Sequence, residues 1–348
     1  MPGAIVTRAT TAAPAVVGPS TTTATRPSKP LPQYLIDTAK LTKREDFDAS
    51  THLNFQAPKN IISMKDIGFE GHGISPNAVS EPFSLFTPEA IQQIRAEVFG
   101  DEAVRDCQFT STFSKYMIRG MGPKRAPFTY AAWNSPELIS KISQVAGVEL
   151  VPSIDFEIAN INISVSEEPA ENSYEVKGKD QPLGDDISAF AWHYDSFPFV
   201  CVVMLSDCTG MVGGETALRT SSGEIMKVRG PAMGTAVMLQ GRYIEHQALK
   251  ALGGRERISM VTCFRPKSPL AKDETVLTGV RAISYKSELY SQYFEYRLEI
   301  LEERIRAKAK AEKLRERAAK SFNTAEARDW LMDQKEFIEA MLYEITDE

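Results

Sequence analysis

The 348-residue chain carries a formal net charge of −6, is 43% hydrophobic and 25% charged, and holds four histidines and four cysteines. That apolar share can bury a full core in one elaborated domain or two, while a sequence pI near 5.5 argues against a polyanion as main partner. No apolar run reaches the ~18 residues of a membrane span, and Cys107, Cys201, Cys208 and Cys263 form no CxxC pair, so buried free thiols are expected rather than bridges.

Residues 1–31 lack Asp and Glu and are rich in Thr, Ala and Pro. Such a stretch buries too little apolar surface to offset the entropy of ordering, and it reads as a disordered tail. A mitochondrial transit peptide is the alternative; frequent prolines and only Arg8, Arg26 and Lys29 as basic residues count against it. The expected location is cytoplasmic. Residues 32–153 read as a helical and irregular segment packing on the strand-rich region after it. Thr87 as N-cap with Pro88 at N1 starts a helix to residue 99, and Ser135-Pro136 repeats the device for a helix to residue 145. Between them, residues 115–133 are basic and aromatic. They read as a surface loop with buried aromatics, or as a pocket wall on which Lys115 or Arg119 meets an anionic group.

Residues 154–165 form an expected strand with Ile158, Asn160, Asn162 and Ser164 on one face. Buried amides need partners, so Asn160 and Asn162 either line an active site or face water on an edge strand. Residues 166–185 read as a polar loop. Then comes His193-Tyr194-Asp195, two potential ligands two apart and so projecting to one side of an extended chain. An apolar strand buried on both faces follows over 196–205. With His246 downstream, two imidazoles and one carboxylate make the facial set that suits a non-haem Fe(II) and leaves three positions open. Residues 241–252 read as a second strand, Gly253-Gly254 as a two-residue turn, and 258–264 as the returning strand of a hairpin. That register sets His246 opposite Val261, with Arg257 and Ser259 on the same face. The four-residue offset is about 13 Å at ~3.3 Å per residue, room for a dicarboxylate between a metal and Arg257. Lys250 falls on the inward face too.

After residue 283 the chain turns helical, with apolar residues from Leu289 to Ile305 at helical spacing. Residues 302–320 are dominated by Lys and Arg, which reads as a solvated face with i,i+4 pairs rather than a nucleic-acid surface. Asn323 and Glu326 cap a last helix. Its apolar face has three placements open to it: the flank of the core, the substrate mouth, or a second subunit in a homodimer. The oligomeric state is otherwise unspecified.

His193-x-Asp195, His246 and Arg257-x-Ser259 resemble the Fe(II)/2-oxoglutarate-dependent dioxygenases. Gly213-Gly214-Glu215-Thr216-x-Leu218 and Gly230-Pro231-x-x-Gly234-x-Ala236-Val237-x-Leu239, in order between the ligands, extend the resemblance over residues 185–268. It implies an α+β protein whose double-stranded β-helix, a jelly roll, spans 154–283, with helices before it and a helical extension over 284–348. It also implies that His193, Asp195 and His246 bind Fe(II), that Arg257 and Ser259 hold 2-oxoglutarate, and that O2 and a small-molecule substrate complete the set. Asn160, Asn162, Lys115 and Arg119 are the expected substrate contacts. Cys263 stands where nucleic-acid demethylases of that family carry a further Arg, so no nucleic-acid partner is expected. The wording around Trp192–Pro198 and Leu239–His246 is most similar to fungal secondary-metabolism members, some of which modify amino acids, including valine-derived aziridine formers. The expected reaction is hydroxylation, desaturation or cyclisation at an unactivated C–H. A cupin-like binding protein without turnover and a macromolecule-modifying oxygenase are the rival readings.

Overall fold

The computed structural model describes residues 12–20, 24–112, 114–165, 188–228, 232–249, 251–252 and 255–347. Its frame is a run of strands: β1 (Asn160–Val165), β2 (Ser188–His193), β3 (Phe199–Met204), β4 (Thr216–Arg219), β5 (Ile225–Val228), β6 (Thr235–Leu239), β7 (His246–Leu249) and β8 (Glu256–Pro266). They pair antiparallel in two sheets, in the orders β6-β3-β8-β1 and β5-β4-β7-β2. Most connections therefore cross from one sheet to the other, an arrangement consistent with a jelly-roll core. β3 and β8 are central strands with a partner on each side; β3 is almost wholly buried and β8 mostly so. Their apolar, β-branched and aromatic composition fits that position. No helix among the described residues is long and apolar enough to cross a membrane.

The expected hairpin does not form. His246 pairs with His193 on one side and Leu218 on the other, whereas Val261 pairs with Asn160 and Val202. Ala251–Leu252 ends instead against Val212–Gly213. A central strand as long as β8 needs backbone partners on both edges, and β1 and β3 supply them. The chain thus changes sheets between β7 and β8. Lys250 and the Gly253-Gly254 turn lie outside the described residues, as does the loop over 166–185.

The N-terminal half widens the larger sheet. Asn77–Ser80 pairs with β6 and Tyr116–Ile118 with β1, so part of the stretch read as a loop over 115–133 is strand, followed by the short helix Pro127–Trp133. Helices α1 (Pro88–Val98) and α2 (Pro136–Ala146) start at the expected caps, where Thr87 accepts from Ala90 N–H and Ser135 from Leu138 N–H. Their buried faces join Trp133, Ile161, Phe199 and Phe264 in one core cluster. The strand expected over 154–165 begins only at Asn160. A 3-10 turn holds 155–157, and Ala159 takes a left-handed φ of 56°, which breaks the alternation and sends Ile158 into the core.

Residues 12–20 and 24–31 are not the free tail that composition suggests. Ala13 N–H donates to Glu274 Oε1 at 3.1 Å, Arg242 Nη1 donates to the Pro14 carbonyl, and Thr25 bridges to Thr110. Polar anchors from the body of the fold hold the backbone there, which composition cannot register. At the other end, α3 (Lys286–Arg317) and α4 (Thr324–Glu344) follow the expected pattern, and Asn323 caps α4 by accepting from Glu326 N–H. The basic stretch pairs with acidic neighbours: Arg306 with Glu302 at 2.6 Å and Lys308 with both Glu312 and Glu326 at 2.8 Å. The apolar face of α4 splits. Phe337 and Met341 join the second core cluster, with Phe197 and Leu239 at the flank of the sheets, while Leu331, Ile338 and Leu342 remain exposed.

Candidate metal centre

His193 closes β2 and His246 opens β7, side by side in the smaller sheet as a register pair. Asp195 follows β2 in a turn whose backbone is tied across, Asp195 N–H donating to the Gly241 carbonyl at 3.0 Å. One ligand atom from each of the three residues lies within 4.8 Å of the others. His193 Nε2 is 3.4 Å from Asp195 Oδ1, and His246 Nε2 is 3.5 Å from Asp195 Oδ2. Each imidazole is oriented from behind. Nδ1 of His193 lies 2.7 Å from the Ala191 carbonyl and Nδ1 of His246 lies 2.9 Å from the Ile244 carbonyl. A carbonyl accepts only, so Nδ1 carries a proton on each ring, and each imidazole in its neutral form presents the Nε2 lone pair toward the centre.

Their surroundings act unequally on the two rings. Burial pushes the His246 imidazole down to about 4, against the opposing pull of Asp195. Burial alone would also lower His193, but the hydrogen bond and charge of Asp195 outweigh it and the value rises. Burial would raise Asp195, yet the charge of His246 and the hydrogen bond from His193 hold it below the usual carboxylate range. Asp195 Oδ2 is buried and has no hydrogen-bond partner among the described residues. A buried carboxylate oxygen without a donor is costly, and a cation in that position would satisfy it. The donor set of two neutral imidazoles and a carboxylate therefore fits a divalent first-row metal.

Gly241 is a residue the sequence reading passed over, although it opens the turn before His246. A Cβ built there would lie 1.8 Å from Asp195 Oδ2 and 3.1 Å from His246 Cε1. Only glycine leaves room for the carboxylate. Gly241→Ala is expected to displace Asp195 and to lower metal content at least tenfold, while the far-ultraviolet circular dichroism stays that of the wild type. Unchanged metal content, by elemental analysis of the dialysed protein, would show that Asp195 does not need that space.

The triad opens into a cavity of about 780 Å³ between the sheets, within the usual range for small-molecule sites. Val202, Val261 and Leu239 give it an apolar wall from the larger sheet. Arg257 and Ser259 line it from the start of β8, Arg257 half-buried and Ser259 4% exposed. Among the described residues Arg257 has neither an ion-pair nor a hydrogen-bond partner. Burial pulls its pKa below the ordinary guanidinium value.

The four expected substrate contacts all border this cavity, in different conditions. Lys115 is exposed at its mouth. Asn160 is 2% exposed, and Asn162 is half-buried opposite Ser259. Arg119 is not the free cation the sequence suggests. It is 7% exposed, its Nη2 lies 2.5 Å from Glu157 Oε1, and its Nε donates to the Ile283 carbonyl at 3.0 Å. Glu157 is the counter-charge that local pattern could not reveal. Burial raises its pKa, against the pull of Arg119.

No protein-family model and no curated protein matches this chain. Solved structures similar to it include members of the 2OG-Fe(II) oxygenase family. An oxidoreductase of that family from Burkholderia pseudomallei is 14% identical, with a TM-score of 0.31 over 43% of this chain. A prolyl 4-hydroxylase from Phytophthora capsici is 15% identical, with a TM-score of 0.31 over 44% of this chain. A Pseudomonas putida prolyl-4-hydroxylase is 16% identical, with a TM-score of 0.31 over 67% of this chain and 99% of its own. The chain spans 66% of the first and 48% of the second.

Proposed function

We propose that this chain is an Fe(II)- and 2-oxoglutarate-dependent oxygenase that oxidises an unactivated C–H bond of a small metabolite. One observation carries the reading: a preorganised His-Asp-His set and a guanidinium without a counter-ion among the described residues line the same cavity. A metal alone would explain the first. An anionic ligand accounts for the second, because a half-buried cation on a cavity wall gains from a partner of opposite charge. The strand orders β6-β3-β8-β1 and β5-β4-β7-β2 support a double-stranded β-helix as the scaffold.

His193 and His246 would hold the iron through Nε2 and Asp195 through a carboxylate oxygen, leaving the remaining positions toward the cavity. Bound there, Fe(II) with 2-oxoglutarate and O2 supplies the oxidising chemistry, which belongs to the cofactor rather than to the protein. The chain's own share is positioning. Arg257 offers a planar fork to the distal carboxylate and Ser259 a hydroxyl beside it. Val202, Val261 and Leu239 keep water from the reacting C–H. Residues 284–348 would buttress the flank of the core, with the exposed part of α4 left for another contact. Hydroxylation is the default outcome; desaturation or cyclisation follows where the substrate is held away from hydroxyl transfer.

The test is anaerobic titration of the Fe(II)-loaded protein with 2-oxoglutarate. A visible charge-transfer band that saturates is expected, with succinate formed on admission of O2 and substrate. Absence of the band would remove the co-substrate assignment. A band without succinate across a metabolite screen would favour a binding protein.

A further inference from the structure

The cavity contains a polar group that neither the metal set nor the Arg257 end uses. Inward residues of β1 are paired across the ladder with those of β8: Ser164 with Arg257, Asn162 with Ser259, and Asn160 with Val261. Directly opposed side chains start within about 5.5 Å of each other, so Asn162 shares the co-substrate half of this wall. Asn160 stands beside Val261, four residues along β8 from Arg257 and so roughly 13 Å away. A five-carbon diacid anchored on Arg257 leaves that end of the wall for a second molecule.

Asn160 is 2% exposed and lines the cavity. Its Nδ2 donates to Glu157 Oε2 at 2.7 Å. Glu157 is itself engaged on both oxygens, with Arg119 on Oε1 and the Cys263 thiol donating to Oε2 at 3.6 Å. A carboxylate repels a carbonyl oxygen, so Glu157 dictates which end of the Asn160 amide faces it. Oδ1 is turned the other way, and it is buried with no partner among the described residues. Such an acceptor gains most from a ligand that brings a donor. The corner offers no free positive charge, because Arg119 and Glu157 neutralise each other.

On the premise of the oxygenase reading, we propose that Asn160 is a specificity residue whose Oδ1 accepts a hydrogen bond from an N–H of the substrate, so that the site prefers amine- or amide-bearing metabolites. Arg119 acts one step back. It fixes Glu157, and Glu157 fixes the amide.

Matched probes test this on the full chain loaded with Ni(II) and saturating 2-oxoglutarate. Isobutyramide is compared with methyl isobutyrate, and benzamide with methyl benzoate, by ligand-observed NMR titration. The wild type is expected to bind each amide about tenfold more tightly than its ester, the scale of one hydrogen bond to a buried acceptor. Asn160→Leu should bring the ratio to about one, with the 2-oxoglutarate band of the Fe(II) protein intact. Where that variant lacks the band, Asn160→Ala carries the comparison. No amide preference in the wild type, including no detectable binding of either partner, overturns the proposal, as does a preference that survives both substitutions. Loss of the 2-oxoglutarate band in the wild type would instead overturn the oxygenase reading, and is read separately.

Discussion

His246→Ala is expected to bring 2-oxoglutarate turnover to background and to leave the purified protein with little iron. The imidazole is one of three ligands, and the two that remain cannot define a facial set. Its loss also removes the group whose Nε2 faces Asp195 Oδ2 at 3.5 Å, so that oxygen keeps neither a metal nor that neighbour. The fold should survive, because β7 is held through its backbone by β2 and β4, and the imidazole's own contacts, to the Ile244 carbonyl, Asp195 and the His193 ring, all lie within the site. The check is elemental analysis together with succinate formation under saturating Fe(II). Wild-type iron content and normal turnover in the variant would dismiss the triad.

The triad was legible in the sequence for a physical reason. Two ligands two residues apart at a strand end need no long-range information, and histidine is scarce in this chain. Helix starts at Thr87 and Ser135 were legible for the same reason, because a cap is satisfied within three residues. The hairpin was misread because two strands joined by Gly253-Gly254 look alike whether they pair with each other or enter different sheets. Only the demand of β8 for partners on both edges decides between these, and the partners, β1 and β3, lie far back in the chain. Arg119 was misread similarly. Its counter-charge, Glu157, comes from another element, and no local pattern announces an ion pair. The stretches 12–20 and 24–31 show a third case. Composition measures what a segment can bury by itself, not what Arg242 and Glu274 can hold in place.

Arg257→Lys is expected to raise the 2-oxoglutarate requirement tenfold or more, on the order of 1.4 kcal/mol. Lysine keeps the charge but not the planar fork, and a single ammonium cannot hold both oxygens of a carboxylate in fixed geometry. Two other arginines lie close in sequence, and each is already engaged. The Arg255 guanidinium stacks 3.4 Å over the Tyr34 ring. Arg265 lies 4.8 Å over Tyr296 and donates to the Ser153 carbonyl at 3.3 Å. Arg257 alone of the three lines the cavity. The iron site should be untouched, since Arg257 is supplied by β8 of the larger sheet and the ligands come from the smaller one. The measurement is therefore a pair: the half-saturation point of the charge-transfer band against 2-oxoglutarate, and iron content at saturating metal. A shifted midpoint with full iron is the expected signature. An unshifted midpoint would mean that the diacid is held elsewhere, and the Arg257 guanidinium would then be left to serve the substrate itself.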